Sequence, residues 1–88
     1  MSDSPVTAIV VTYAPKPDVL SACIESLRIQ SPAPKIIIAD NLSGKDPEHK
    51  VAMSMRSDDC DVVPINRNLG FGGAINSVLP RIDSPYLL

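Results

Sequence analysis

Aromatic residues are scarce in this chain: there is no tryptophan, and two tyrosines and one phenylalanine make up 3% of the 88 residues. An aromatic core is excluded. With 44% apolar content, the interior has to be filled by Ile, Val and Leu, and a chain this short buries roughly 60–65% of its unfolded surface, which supports one small domain. Excess charge is also missing: a net charge of −2 and a pI near 5.1 leave no electrostatic basis for binding nucleic acid or an anionic membrane. No apolar run approaches the ~20 residues of a membrane span. Met1-Ser2-Asp3-Ser4-Pro5 has neither the basic nor the apolar part of a signal peptide, so a cytoplasmic protein is expected.

Cysteine and histidine are equally sparse. Cys23 and Cys60 lie far apart with no Cys-x-x-Cys pair and no histidine at metal spacing, which reads as two reduced thiols in or near the core. The single histidine, His49, has no Ser, Cys or carboxylate partner at a recognisable spacing. It is expected on a solvated helix surface.

Thr7-Ala8-Ile9-Val10-Val11-Thr12-Tyr13 is β-branched and almost continuously apolar, the pattern of a parallel strand covered on both faces. Pro15 and Pro17 break it. Pro17 and Asp18 then suit a first helical turn, because proline needs no N–H there and a carboxylate favours the positive end of the helix dipole. Leu20, Cys23, Ile24 and Leu27 follow at i, i+3, i+4 and i+7 as one apolar stripe, and the helix is expected to stop near Ser31-Pro32-Ala33-Pro34.

Lys35-Ile36-Ile37-Ile38-Ala39 predicts a second buried strand running into the turn-forming Asp40-Asn41-Leu42-Ser43-Gly44. The two strands and the helix between them make a right-handed βαβ unit. A helix from Pro47 to about Arg56 is expected from Val51, Ala52 and Met55, with Asp46 and Glu48 at its start. Asp61-Val62-Val63-Pro64-Ile65 predicts a third strand, placed at the sheet edge because Pro64 cannot donate a ladder bond. A glycine-rich turn then leads into a helix from about Gly73 to Ile82, which Pro80 should kink or end early. Tyr86-Leu87-Leu88 reads as the opening of a fourth strand. The expected fold is therefore α/β: an open parallel sheet of three to four strands, in the order 3-2-1-4, with flanking helices. An unfinished strand leaves its backbone groups unsatisfied, so residues 1–88 are expected to be a single truncated domain.

In such a sheet Thr12-Tyr13, Asp40-Asn41 and Asn66-Arg67-Asn68 emerge along one edge, where ligands of open α/β sheets bind. Asp40 could accept the imide N–H of a pyrimidine, Tyr13 could supply a packing face, and Arg67 could donate to a carbonyl or phosphate oxygen. Each residue also has an ordinary structural use. Asp40 can start a turn, Arg67 and Asn68 can be solvated loop, and Tyr13 can cover the core. Gly70-Phe71-Gly72-Gly73 fails the dinucleotide fingerprint, since it follows the third strand and Ile75 stands at the third glycine position; no Gly-Lys-Ser/Thr makes a P-loop. Asp59-Cys60-Asp61 spells Asp-x-Asp but precedes the third strand and so lies at the opposite edge. It is expected to be a solvated turn.

Taken in order, Val10-Val11-Thr12-Tyr13, the helix with Leu20, Cys23, Ile24 and Leu27, Ile37-Ile38-Ala39-Asp40-Asn41-Leu42-Ser43, and Asn66-x-Asn68-x-Gly70-Phe71-Gly72-x-Ala74-x-Asn76 resemble the N-terminal part of family 2 glycosyltransferases, in a rhamnosyltransferase-like flavour. The resemblance implies the Rossmann-like half of a GT-A fold. It also implies inverting sugar transfer from a nucleotide-diphosphate donor of uridine or thymidine type to a hydroxyl of a saccharide or lipid-linked acceptor. Thr12 and Tyr13 would border the base, Asp40 would bond the pyrimidine, and Arg67, Asn68 and Gly70 would close over the nucleoside. A divalent metal, Mg or Mn, is expected for the family, held by an Asp-x-Asp just beyond Leu88; no catalytic or metal-ligating residue is assigned within these residues. This piece is thus expected to bind nucleotide, to be inactive alone and, at most, to lie peripherally at the inner face of the membrane. A nonenzymatic nucleotide-binding or interaction module of the same fold is the alternative. A receiver-like domain, with Asp40 as phosphoacceptor, fits less well because Tyr13-Ala14-Pro15 supplies no acidic cluster after the first strand.

Overall fold

The computed structural model describes residues 6–82 and 86–87. Four parallel strands, β1 (Val6–Tyr13), β2 (Lys35–Asn41), β3 (Cys60–Ile65) and β4 (Tyr86–Leu87), form one sheet in the order β3-β2-β1-β4. The expected order holds. Pro64 sits on β3, which pairs only with β2 and so tolerates a residue that cannot donate. The register sets Thr12 beside Asp40, Tyr13 beside Asn41, and Asn41 beside Ile65, so the three strand ends finish level with one another.

Side chains alternate across the sheet, which splits the core in two. Ile36 and Ile38 face α1 (Pro17–Arg28) and the short helix α2 (Lys50–Met53), packing with Leu20, Ile24, Ala52, Cys60 and Val62. Ile37 and Ala39 face α3 (Gly70–Val78), packing with Val63, Ile65, Ala74 and Val78. Burying a branched side chain such as Ile24 is worth about 1.5–3 kcal/mol, so these two layers hold the sheet without aromatic help.

α1 starts as its sequence predicts, with Pro17 at the first position, Asp18 in the first turn and the Leu20 N–H bonded to the Lys16 carbonyl at 2.9 Å. Its apolar stripe is narrower than expected. Leu20 and Ile24 are buried and Leu27 partly so, whereas Cys23 is exposed. The predicted helix over 47–56 shrinks to Lys50–Met53, because His49 takes a left-handed conformation (φ 56) that a right-handed helix cannot include. Asp46 instead caps the shortened helix, accepting the N–H groups of Lys50 at 2.9 Å and Val51 at 3.0 Å. These bonds, Val51 first, hold its carboxyl below the usual carboxylate range.

The last helix begins at Gly70, three residues earlier than expected, and ends at Val78; a 3-10 turn (Leu79–Arg81) carries Pro80. Pro80 therefore ends the helix rather than kinking it. Gly73 is required by packing, since a Cβ there would lie 2.8 Å from the Leu69 Cβ.

Candidate functional site

The candidate site lies at the C-terminal edge of β1, β2 and β3, where the chain leaves the sheet three times. Thr12 and Asp40 are neighbours in register and point to the α1–α2 face, and the Thr12 hydroxyl donates to Oδ1 of Asp40. Asp40 is 2% exposed. A carboxylate that deep has to be paired, and its second oxygen lies 2.7 Å from Nδ1 of His49. His49 is 5% exposed, which overturns the expectation of a solvated helix surface.

The loop over 42–48 returns the chain to the sheet and delivers His49 to Asp40. It does so at a cost. A non-glycine residue in the left-handed region is disfavoured by about 1–2 kcal/mol, and among the described residues the buried Nε2 of His49 has no hydrogen-bond partner, which costs about 1–3 kcal/mol more. Flanking His49 in sequence, Glu48 and Lys50 form an exposed pair, with the Lys50 Nζ 3.8 Å from the Glu48 carboxylate.

Asn41 points to the other face and ties the edge together. Its Nδ2 donates to the Thr12 carbonyl at 3.3 Å and its Oδ1 accepts the Leu69 N–H at 2.9 Å, so one buried amide joins β1, β2 and the turn before α3. Asn68 caps that turn by accepting the Gly70 N–H at 3.0 Å, and Gly70 supplies the positive φ of 70 that the turn needs.

Around this fixed frame the other predicted residues stand open. Tyr13 is 57% exposed and so does not cover the core; Arg67, Asn68 and Gly70 are exposed, and Phe71 beside them is 70% exposed. Thr12 and Asp40 are brought into contact with each other. Among the described residues neither is bonded to Tyr13, Arg67 or Gly70. Two members of the edge were missed as site residues. Asn41 carried a signal, since adjacent polar residues ending a buried strand must face opposite sides of the sheet. His49 carried none beyond the enrichment of histidine among left-handed non-glycine residues.

The described residues do not fit a divalent metal. Among them no three His, Cys, Asp or Glu side chains cluster. Asp59-Cys60-Asp61 lies at the start of β3, where Asp59 bonds Arg28 and Asp61 accepts the Val62 N–H at 2.9 Å. No helix among the described residues is long and apolar enough to cross a membrane.

A doubly covered parallel sheet with a polar, partly open edge at its strand C-termini defines an open α/β domain. The model of the family described as Glycosyl transferase family 2 matches residues 7–88, so the chain belongs to that family. No curated protein and no solved structure gives a significant match. Family membership supports a glycosyltransferase-type domain that handles a nucleotide-sugar donor and an acceptor.

Proposed function

We propose that this chain binds the nucleotide of a uridine- or thymidine-diphosphate sugar, for hexosyl or rhamnosyl transfer to an acceptor hydroxyl. The observation that carries the reading is the meeting of Thr12 and Asp40 beside exposed Tyr13 at the open edge of a family 2 domain. In this reading Tyr13 packs on the base, Asp40 accepts its imide N–H, Arg67 donates to a carbonyl or phosphate oxygen, and Asn68 and Gly70 wall the ribose. Asp40 is the one buried carboxylate among the described residues and is already paired, so this edge recognises the donor and supplies no general base. The 88-residue chain is accordingly proposed to bind without transferring sugar.

Calorimetry with uridine diphosphate and thymidine diphosphate tests this. Binding is expected, weakened about fivefold or more by Tyr13→Ala, which removes an exposed packing face worth ~1 kcal/mol, and weakened again by Arg67→Ala. Both positions are exposed, so neither substitution should disturb folding. Absence of binding, or binding indifferent to both changes, would sink the proposal.

A further inference from the structure

Asn41 closes β2 and is 2% exposed. Its side chain prolongs the face of Ile37 and Ala39, beside a layer of Val63, Ile65, Ala74 and Val78 where an apolar residue would be the ordinary choice. Each end of the amide is engaged. Nδ2 donates to the Thr12 carbonyl on β1 at 3.3 Å, and Oδ1 accepts the Leu69 N–H at 2.9 Å. Tyr13, the next residue along β1, is the register partner of Asn41 and so leaves the sheet on the same face, 57% exposed.

The turn at Leu69 has few other ties. From Arg67 to Gly70 the Asn41 bond is the one hydrogen bond to a strand among the described residues, since the Asn68 bond to Gly70 stays within the turn. Leu69 adds its side chain, which packs on the α3 layer where glycine at position 73 leaves room for its Cβ. Arg67, Asn68, Gly70 and Phe71 around it are exposed, and among the described residues the Arg67 guanidinium has no hydrogen-bond or ion-pair partner. One buried amide therefore sets where Arg67 stands relative to the end of β1.

We propose that Asn41 is a positioning residue of the nucleotide pocket: its amide fixes the Leu69 turn against the end of β1, and Arg67 reaches the bound nucleotide only while that tie is in place. The inference rests on the nucleotide-binding reading above. A guanidinium side chain loses rotamer freedom when it binds, and a loose turn adds backbone freedom to that loss, so the contact ceases to be favourable. Tyr13 is different. It stands on β1, which the ladder to β2 holds without Asn41, so its packing face survives when the tie is cut.

Uridine diphosphate affinity, measured by calorimetry, tests this in two double-mutant cycles. Asn41→Leu keeps the approximate size and removes both bonds. Arg67→Ala is expected to weaken binding about fivefold or more in the native chain and by less than about twofold in Asn41→Leu, where the contact is already lost. Tyr13→Ala is expected to weaken binding by the same factor in both backgrounds, within about twofold. A substitution that only destabilised the fold would scale every affinity alike and leave both factors intact.

An Arg67 factor that persists in Asn41→Leu overturns the inference while the nucleotide-binding reading stands. Loss of the Tyr13 factor along with it also overturns the inference, because Asn41 would then be a general strut of the edge. So does native binding that is indifferent to Arg67→Ala. No binding by the native chain overturns both. Should Asn41→Leu not fold, Gly73→Ala attacks the same tie from the other side: its Cβ, 2.8 Å from that of Leu69, has to push the turn away, while alanine itself favours the helix. The Arg67 factor is expected to shrink there too, and its persistence overturns the inference.

Discussion

The two ends of β2 each carry a charged cluster tied to the neighbouring chain, and they differ in almost everything except their chemistry. At the N-terminal edge Arg28 makes a two-pronged bond to Asp59, Nε at 2.9 Å and an Nη at 3.0 Å, and also reaches Glu25 at 2.5 Å and Ser57 at 2.9 Å. Every prong has a partner. The cluster stands largely in solvent and fastens the end of α1 to the start of β3. At the C-terminal edge Asp40 and His49 are buried, one ring nitrogen has no partner among the described residues and the backbone at His49 is left-handed. An exposed, satisfied cluster is structural fastening. The buried one carries a strained backbone and an unmatched ring nitrogen among the described residues, so it holds the chain together less cheaply.

The largest expected effect follows from breaking the buried cluster. Asp40→Ala leaves the Thr12 hydroxyl and the His49 ring without their acceptor, and each buried polar group left unsatisfied costs about 1–3 kcal/mol. Small domains have only ~5–15 kcal/mol in all, so urea denaturation at pH 7 should show a large share of the stability gone. A loss below about 1 kcal/mol would mean that Asp40 is hydrated and that the two clusters do not differ in kind.

How much of this contrast was legible beforehand depends on how local each feature is. Ile36-Ile37-Ile38 and Ile9-Val10-Val11 declare doubly covered strands on their own, and Pro64 declares its edge, so sheet and strand order were readable. The level strand ends followed from that topology. α2 was misread because Val51, Ala52 and Met55 repeat like a helix while the decisive break is one backbone conformation at His49. Cys23 lay on the predicted stripe, but the packed part of α1 is centred on Leu20 and Ile24, and Cys23 falls outside it. The Asp40–His49 pair depends on the return of a whole loop, which no spacing rule encodes.

A smaller effect is expected at the exposed cluster. The Arg28 guanidinium, helped by Ser57, holds the Asp59 carboxyl below its usual range, and Arg28 is itself held above its already high one. A depressed carboxyl contributes stability that is present above its unfolded value, near pH 4, and is lost as pH falls through the folded value. Arg28→Ala should therefore cost no more than about 1 kcal/mol at pH 7, and the cost should shrink in 1 M salt and below pH 4. A cost of several kcal/mol, insensitive to both, would place this cluster with the buried one.

The smallest effect at neutral pH is expected at Cys60, which opens β3 beside Asp59 and tests how sharply burial changes along that edge. Its thiol is pushed up to about 11, chiefly by burial, whereas Cys23 on α1 is exposed. A thiolate-directed reagent at pH 8 should modify Cys23 promptly and Cys60 only as fast as the chain unfolds. The sign of the pH effect follows. The unfolded chain releases the Cys60 proton near pH 8.5 and the folded chain near 11, so ionisation favours unfolding and stability should decline across that interval. Cys60→Ala should flatten that alkaline decline while leaving the acid limb set by Asp59 in place. If Cys60 reacts as fast as Cys23 in the folded chain, the N-terminal edge is open down to the strand, and the Arg28 cluster fastens only the helix end above it.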